Sequence, residues 1–240
     1  MQQMRLQEQF ERELCHLIEE LTEMALVAEE LFGVSARALV ARDRVQARKV
    51  AEGAGIVPSD SEGGETVHAR TLALLREWSS VTVNVRSLMM IQQSAMELER
   101  IGDHARRIAT HALALADGAS AGVGALGRST GTDLLALIRA VSIQLRGCAE
   151  VLAAPDAWRA QQLASGDLEL DRIYLGLVGA LQEAMTRNPA AALMLTRLLF
   201  AAHEMECIGN RVGNICENIC YMAADSEPAA SPNGGWRAAI

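Results

Sequence analysis

The sequence has few aromatic residues and no surplus of positive charge. Phe, Trp and Tyr make up 3 % of the 240 residues, although half of the chain is hydrophobic. Strands draw on aromatic and β-branched residues, so a chain rich in Leu, Ala and Met favours helices. The net charge of −8 argues against a general nucleic-acid-binding protein, which carries a basic face. We therefore expect a helical protein whose partners do not include nucleic acid.

Targeting and disulfide signals are also missing. The N-terminal segment is charged throughout, unlike a signal peptide, and no stretch reaches the roughly 18 apolar residues that a membrane span needs. The odd number of cysteines and the lack of a C-x-x-C pair indicate reduced thiols in a cytoplasm. The five cysteines are Cys15, Cys148, Cys207, Cys216 and Cys220. We expect a cytoplasmic protein that reaches the inner face of a membrane only through partners.

The spacing of apolar residues predicts helices along most of the chain. A helix over 3–31 is predicted to end at Gly33, and Ser35 to cap the next helix. Two stretches have no apolar period: 117–132, a predicted flexible linker, and 225–240, a predicted disordered tail. The other predicted helices cover 36–52, 65–79, 82–115, 133–153, 157–186 and 189–223. The predicted domains are a bundle at 1–116 and another at 133–224.

The two halves of the chain resemble each other in sequence. The string at 97–103 matches the one at 204–210 with an offset of 107, and the string at 47–53 matches 160–166 with an offset of 113. The apolar residues of the first helix are found again at an offset of 121. A repeat of this size indicates a duplicated unit. We predict an all-α fold built by tandem duplication of a three-helix bundle, with six long helices related by a pseudo-two-fold axis.

Carboxylates recur at a spacing of four, which places both members of a pair on one helix face. Glu99 and Asp103 form one pair, and Asp167 and Asp171 another. The 107 offset relates the first pair to Glu206 and Asn210, and relates Asp167 to Asp60. Oxygen ligands of this kind suit a hard metal ion. The alternative is a solvated acidic face that nearby arginines neutralise.

One string is characteristic of a known family. Residues 97–108, ELERIGDHARRI, resemble the motif D-L-E-R-I-G-D-x-A-x-N-I of the PhoU family, and Asn84-Val85-Arg86 stands where that family has D-L-R. The second copy keeps Glu206, Ile208 and Gly209 but has Cys207 and Asn210 in place of Arg and Asp. The resemblance covers about residues 5–223.

The resemblance to PhoU implies a regulator without enzymatic activity. It would damp the phosphate-sensing histidine kinase and restrain the phosphate ABC transporter through the transporter's ATPase subunit, as a homodimer. It also implies metal sites for Mg, Mn or Fe. The candidate ligands are Asp60, Glu99 and Asp103 in the first half and Asp167, Asp171, Glu206 and Asn210 in the second.

Two other functions are compatible with a helical chain of this composition. A ferritin-type di-metal oxidase needs Glu residues and E-x-x-H strings on four helices. Two such strings exist, Glu13 with His16 and Glu65 with His68, but neither recurs in the second half. The other alternative is a helical adaptor that binds no metal.

Overall fold

The computed structural model describes residues 2–53, 67–77, 85–117 and 128–223, and these residues are almost entirely helical. The predicted tail at 225–240 lies outside this part of the chain. In order, the helices are α1 (Gln2–Ala41), α2 (Arg44–Ala51), α3 (Val67–Glu77), α4 (Val85–Asp117), α5 (Arg128–Ala153), α6 (Ala157–Ser165), α7 (Asp167–Arg187) and α8 (Ala192–Ala223), with a 3₁₀ turn at Pro189–Ala191.

The first helix is longer than predicted. It continues through Gly33 to Ala41, and Ser35, which was predicted to cap a new helix, lies inside it and donates its hydroxyl to the Leu31 carbonyl at 2.8 Å. A glycine inside a helix costs only about 1 kcal/mol relative to alanine. The fully buried Phe32 and Leu39 on either side hold the helix together by packing. The prediction that Gly33 ends the helix was therefore wrong.

The break after α1 occurs at a capped turn, and the same turn is found in the second half. Asp43 caps α2 by accepting hydrogen bonds from the Val45 and Gln46 amides, both at 3.0 Å. Asp156 caps α6 by accepting one from the Arg159 amide at 2.8 Å. The two caps are 113 residues apart (156 − 43 = 113).

The offset of 113 also aligns the first helix of each half. It relates Leu21 to Leu134, Phe32 to Leu145 and Leu39 to Leu152, and all six side chains are buried. The offset of 121 predicted for this helix was therefore wrong. It differs from 113 by eight residues, a little over two helical turns, so it brings similar apolar residues into register by periodicity alone.

The predicted linker at 117–132 was too long. Asp117 is the last residue of α4, and residues 128–132 belong to the first turns of α5. The remainder of the predicted linker, 118–127, lies outside the described residues.

The two halves pack directly against each other. Helix α4 lies along α8, and α1 contacts both α4 and α5, so the first and last helices of each half form a shared core. Helices α6 and α7 pack against α8, as α2 and α3 pack against α4. Within the described ranges, no helix is both long enough and apolar enough to span a membrane.

In the described part of the chain, three ion pairs cross the interface between α4 and α8; two of them are equivalent in the repeat, and the third joins Arg107 Nη1 to Glu204 Oε2 at 3.3 Å. Arg211 Nη1 donates to Glu97 Oε2 at 3.2 Å, and His104 Nδ1 lies 2.6 Å from Glu204 Oε2. The glutamate side chains are only 12 % and 13 % exposed. Glu97 is related to Glu204, and His104 to Arg211, by the offset of 107. The pseudo-two-fold relation therefore exchanges the two pairs.

Arg100 Nη1 also donates to Glu97, at 2.8 Å. We expect Glu97→Gln to lower the free energy of unfolding by about 1–3 kcal/mol, because the shielded hydrogen bond between the charges of Glu97 and Arg211 is lost and both arginines lose their counter-charge. Unfolding in urea near neutral pH measures this change. The control is Glu183→Gln, which removes an exposed pair with Arg187 and should change stability by less than about 0.5 kcal/mol. Equal effects of the two substitutions would contradict a structural role for the shielded pair.

The free cysteines differ strongly in exposure. Cys148 and Cys216 are buried, and Cys15 is exposed. Burial, with a smaller contribution from the neighbouring Cys216, raises the pKa of Cys148 far above its usual range. Burial also raises the pKa of Cys216 to about 12, with smaller contributions from Cys220 and Glu217.

We therefore expect iodoacetamide to label Cys15 first near neutral pH, because the thiolate is the reactive form and the buried thiols form almost none. Mass spectrometry of tryptic peptides at increasing times gives the order of labelling. Labelling of Cys148 as early as Cys15 would show that the core between the halves opens readily.

Candidate metal centre

Asp171 on α7 and Glu206 on α8 both lie near enough to Asp167 for their charges to affect it. We call these three carboxylates the second-half acidic cluster. Asp167 and Asp171 are half-buried. Burial raises the pKa of Asp167, and the charges of Asp171 and Glu206 raise it further. The Asp167 Oδ1 atom is buried and has no hydrogen-bond partner among the described residues.

Two glycines allow close packing around the start of α7. At Gly209, an added Cβ would lie 2.8 Å from Leu170 Cδ1 and 3.5 Å from Asp167 Oδ1. At Gly166, it would lie 2.5 Å from the Gln144 amide nitrogen and 3.1 Å from the Leu163 carbonyl oxygen. Glycine at 209 lets α7 approach α8 beside Asp167, and glycine at 166 leaves room for the Gln144 side chain of α5 at the start of α7.

Asn210 is held beside Glu206. Its amide nitrogen donates to Glu206 Oε1 at 2.6 Å, while the Glu206 side chain is 17 % exposed. The asparagine satisfies one carboxylate oxygen where an aspartate would add a further negative charge. The structure therefore places Asn210 against Glu206, and Asp167 near enough to Asp171 and Glu206 to be influenced by their charges, but the ligand atoms of the three carboxylates do not all lie within 4.8 Å of one another.

The predicted ligands of the first half are arranged differently. Glu99 and Asp103 are exposed on α4, and Asp103 Oδ1 accepts a hydrogen bond from Arg106 Nη2 at 3.0 Å. Asp60 lies outside the described residues, so its place relative to Glu99 stays a prediction. The pairing with Arg106 is the neutralised acidic face that was the alternative to a metal site.

Sequence analysis missed a histidine and a cysteine beside Glu206. Cys207 Sγ lies 3.6 Å from Glu206 Oε2 and 3.7 Å from His203 Nε2, and His203 Nδ1 lies 3.5 Å from Glu206 Oε2. Burial and the nearby Glu206 raise the pKa of Cys207 to about 11. The string His203-x-x-Glu206-Cys207 could have revealed this group of side chains in the sequence, because positions three and four apart share a helix face.

The second-half acidic cluster fits a divalent ion. Burial is the main cause of the raised pKa of Asp167, the charges of Asp171 and Glu206 add repulsion to it, and Asp167 Oδ1 has no donor among the described residues. A bound cation would remove the repulsion and satisfy that oxygen. Carboxylate and amide oxygens are the ligands that Mg²⁺ and Mn²⁺ prefer.

The residues that a ferritin-type oxidase would need are not gathered in the described part of the core. Arg70 Nη2 donates to Glu13 Oε2 at 3.0 Å, and His16 is exposed and lies 3.3 Å from Glu19. His68 is exposed, and Glu65 lies outside the described residues. The E-x-x-H strings therefore give no support to an oxidase.

Comparison with known proteins supports the duplicated architecture. The PhoU domain matches residues 21–112 and again residues 134–219, once in each half. The chain is 30 % identical over 219 residues to the phosphate-specific transport system accessory protein PhoU homolog of Rhizobium meliloti (strain 1021), covering 91 % of this chain and 89 % of the relative. It is 27 % identical to the accessory protein PhoU of Escherichia coli (strain K12), covering 89 % and 84 %.

Solved structures show the same fold. The crystal structure of PhoU from Pseudomonas aeruginosa matches with a TM-score of 0.77 at 22 % identity, covering 90 % of this chain and 99 % of that one. The crystal structure of the regulatory protein PhoU from Streptococcus pneumoniae matches with a TM-score of 0.72, also at 22 % identity, covering 89 % and 96 %. Since the domain matches both halves and the relatives align over nearly their full length, the chain belongs to the PhoU family.

Proposed function

We propose that this chain is a negative regulator of phosphate uptake and of phosphate-starvation signalling. The observation that carries the proposal is the match of the PhoU domain to both halves. The similar proteins of Rhizobium meliloti and Escherichia coli are described as accessory proteins of the phosphate-specific transport system. A protein of this kind acts by binding, without catalysing a reaction of its own.

The partners that we propose are the ATPase subunit of the phosphate ABC transporter and the phosphate-sensing histidine kinase. The chain would meet both in the cytoplasm, at the inner face of the membrane, and would act as a homodimer. Leu168 and Leu175 on α7 are 78 % and 66 % exposed, and their spacing of seven places them on one face. Exposed apolar side chains on one face favour contact with another protein.

A metal ion is the second part of the proposal. Asp167, Asp171 and Glu206, with the Asn210 side chain beside them, would hold one divalent ion, which is Mg²⁺, Mn²⁺ or Fe²⁺. When bound, the ion supplies positive charge that holds α7 against α8. A first-half site at Asp60, Glu99 and Asp103 is the weaker candidate, because Asp103 already pairs with Arg106.

The proposed regulatory role does not depend on the proposed metal binding. A protein that regulates uptake without binding a metal would be a plain helical adaptor built on the same fold. Oxygen-dependent oxidation of ferrous iron by the purified protein would instead favour the oxidase.

Deleting the gene should switch on phosphate-starvation genes in cells that have ample phosphate, because the restraint on the sensor kinase is lost. A transcriptional reporter of a starvation gene measures this response, and a plasmid copy of the chain should restore repression. Unchanged expression in the deletion strain would contradict the regulatory proposal.

Removing carboxylates of the second-half acidic cluster should abolish stabilisation by metal. Mn²⁺ at 100 times its dissociation constant should stabilise the parent by about 2.7 kcal/mol, since it binds the folded state. Asp171→Asn and Glu206→Gln should lose most of this shift in a thermal melt, and Glu99→Ala tests the first-half site in the same way.

The matched control for these variants is Glu19→Ala on α1. Its side chain is 73 % exposed and lies far from either candidate site in the chain, so its shift with Mn²⁺ should equal that of the parent. Melting of the parent that does not depend on Mn²⁺, Mg²⁺ or Fe²⁺ would leave the protein as a metal-free adaptor.

A further inference from the structure

We propose that His203, Glu206 and Cys207 form a binding site for a borderline transition-metal ion of the zinc class, sharing Glu206 with the second-half acidic cluster. This inference rests on the proposed metal binding at that cluster, and it predicts a different preferred ion for the site that shares Glu206. Among the described residues, these three side chains form the one group of at least three His, Cys, Asp and Glu ligand atoms in which all atoms lie within 4.8 Å of one another.

The spacing of the ligand atoms suits a tetrahedral ion. Cys207 Sγ lies 3.6 Å from Glu206 Oε2 and 3.7 Å from His203 Nε2. Zinc binds sulfur at about 2.3 Å and nitrogen or oxygen at about 2.0–2.2 Å, so the ligand atoms of a tetrahedral site are separated by roughly 3.3–3.6 Å. The Cys207 sulfur therefore lies at about the spacing of a tetrahedral site from both of the other ligand atoms, and all three ligand atoms lie within 4.8 Å of one another.

The histidine ring is oriented for this role. The Tyr174 hydroxyl on α7 lies 3.5 Å from His203 Nδ1, and Nε2 faces the Cys207 sulfur. Histidines that bind metals commonly donate a hydrogen bond from the other ring nitrogen, which fixes the ring and its tautomer. With an ion on Nε2, the Nδ1–H group faces the Tyr174 oxygen and also Glu206 Oε2, which lies 3.5 Å away, so Tyr174 is a positioning residue that helps to hold the ring.

The thiol changes which ion the site prefers. Carboxylates alone favour Mg²⁺ and Mn²⁺, whereas thiolate and imidazole ligands favour zinc and its neighbours. Position 207 corresponds to Arg100 in the first half, where the guanidinium binds Glu97 at 2.8 Å. A cation at that position would repel a metal ion, and a cysteine admits one. On binding, the Cys207 S–H bond breaks, a metal–sulfur bond forms and the proton passes to solvent.

The site is open to solvent on one side and adjoins the second-half acidic cluster on the other. His203 is exposed and Glu206 and Cys207 are half-buried, so an ion has a path from solvent. Burial raises the pKa values of Tyr174 and Asp167, and the charge of Glu206 raises both further. This site and the second-half acidic cluster adjoin because they share Glu206.

The test uses the full chain, stripped of metal by a chelator and then titrated with Co²⁺ as a spectroscopic substitute for Zn²⁺. The parent should develop a sulfur-to-cobalt charge-transfer band in the near ultraviolet, and added Zn²⁺ should remove it. Cys207→Ser should lose the band, and His203→Ala should weaken Zn²⁺ binding at least 10-fold while leaving Mn²⁺ binding unchanged.

The matched control is Cys220→Ser, a half-buried cysteine on the same helix whose thiol donates to the Ala157 carbonyl instead. It should keep the band, and circular dichroism of each variant verifies that the helices are intact. A band that survives in Cys207→Ser would overturn the inference. So would a parent that shows no band.

The result with Mn²⁺ separates this inference from the proposed function. If the parent binds Mn²⁺ but shows no cobalt–thiolate band with Co²⁺, the proposal of a zinc-class site is wrong and the proposal of a carboxylate site is supported. If it binds neither ion, both metal proposals fail, and the regulatory role still depends on the deletion experiment alone.

Discussion

The packing of α4 against α8 is the constraint on which the rest of the structure depends. This interface shields Glu97 and Glu204, and each finds its partner on the opposite helix, Arg211 and His104. Removing one partner of a shielded pair lowers the free energy of unfolding by much more than forming the pair raises it. The pairs therefore fix the register between the helices, and the duplication satisfies both with one symmetric arrangement.

Helix α8 serves the core and the candidate metal centre at the same time. One of its faces packs on α4, and another meets α7, where Gly209 permits close approach and Glu206 faces Asp167. The ligands thus project from a helix whose position the interface between the halves determines. A shift of α8 relative to α7 would change both the metal centre and the outer face of α7, where Leu168 and Leu175 are exposed.

The two halves have the same arrangement of helices but differ in the charged residues at equivalent positions. In the first half, Arg106 neutralises Asp103. In the second, Cys207 occupies the position of Arg100 and Asn210 that of Asp103, so the carboxylates near Glu206 are left to repel one another. A duplicated protein whose sites have diverged in this way can keep one half as a scaffold while the other binds an ion. The proposals above therefore concentrate on the second half.

The sequence by itself determined the all-helical class, the duplication and the carboxylate pairs, because helical period and repeat offset are local properties that a single chain displays. It failed to place the end of α1, since burial of Phe32 and Leu39 outweighs the weak helix-breaking effect of Gly33. Only the tertiary structure decided that Glu97 pairs with Arg211 and that Asp167 on α7 lies near enough to Glu206 for its pKa to be raised by that charge as well as by burial. These neighbours are set by contacts between distant segments, which no local pattern encodes.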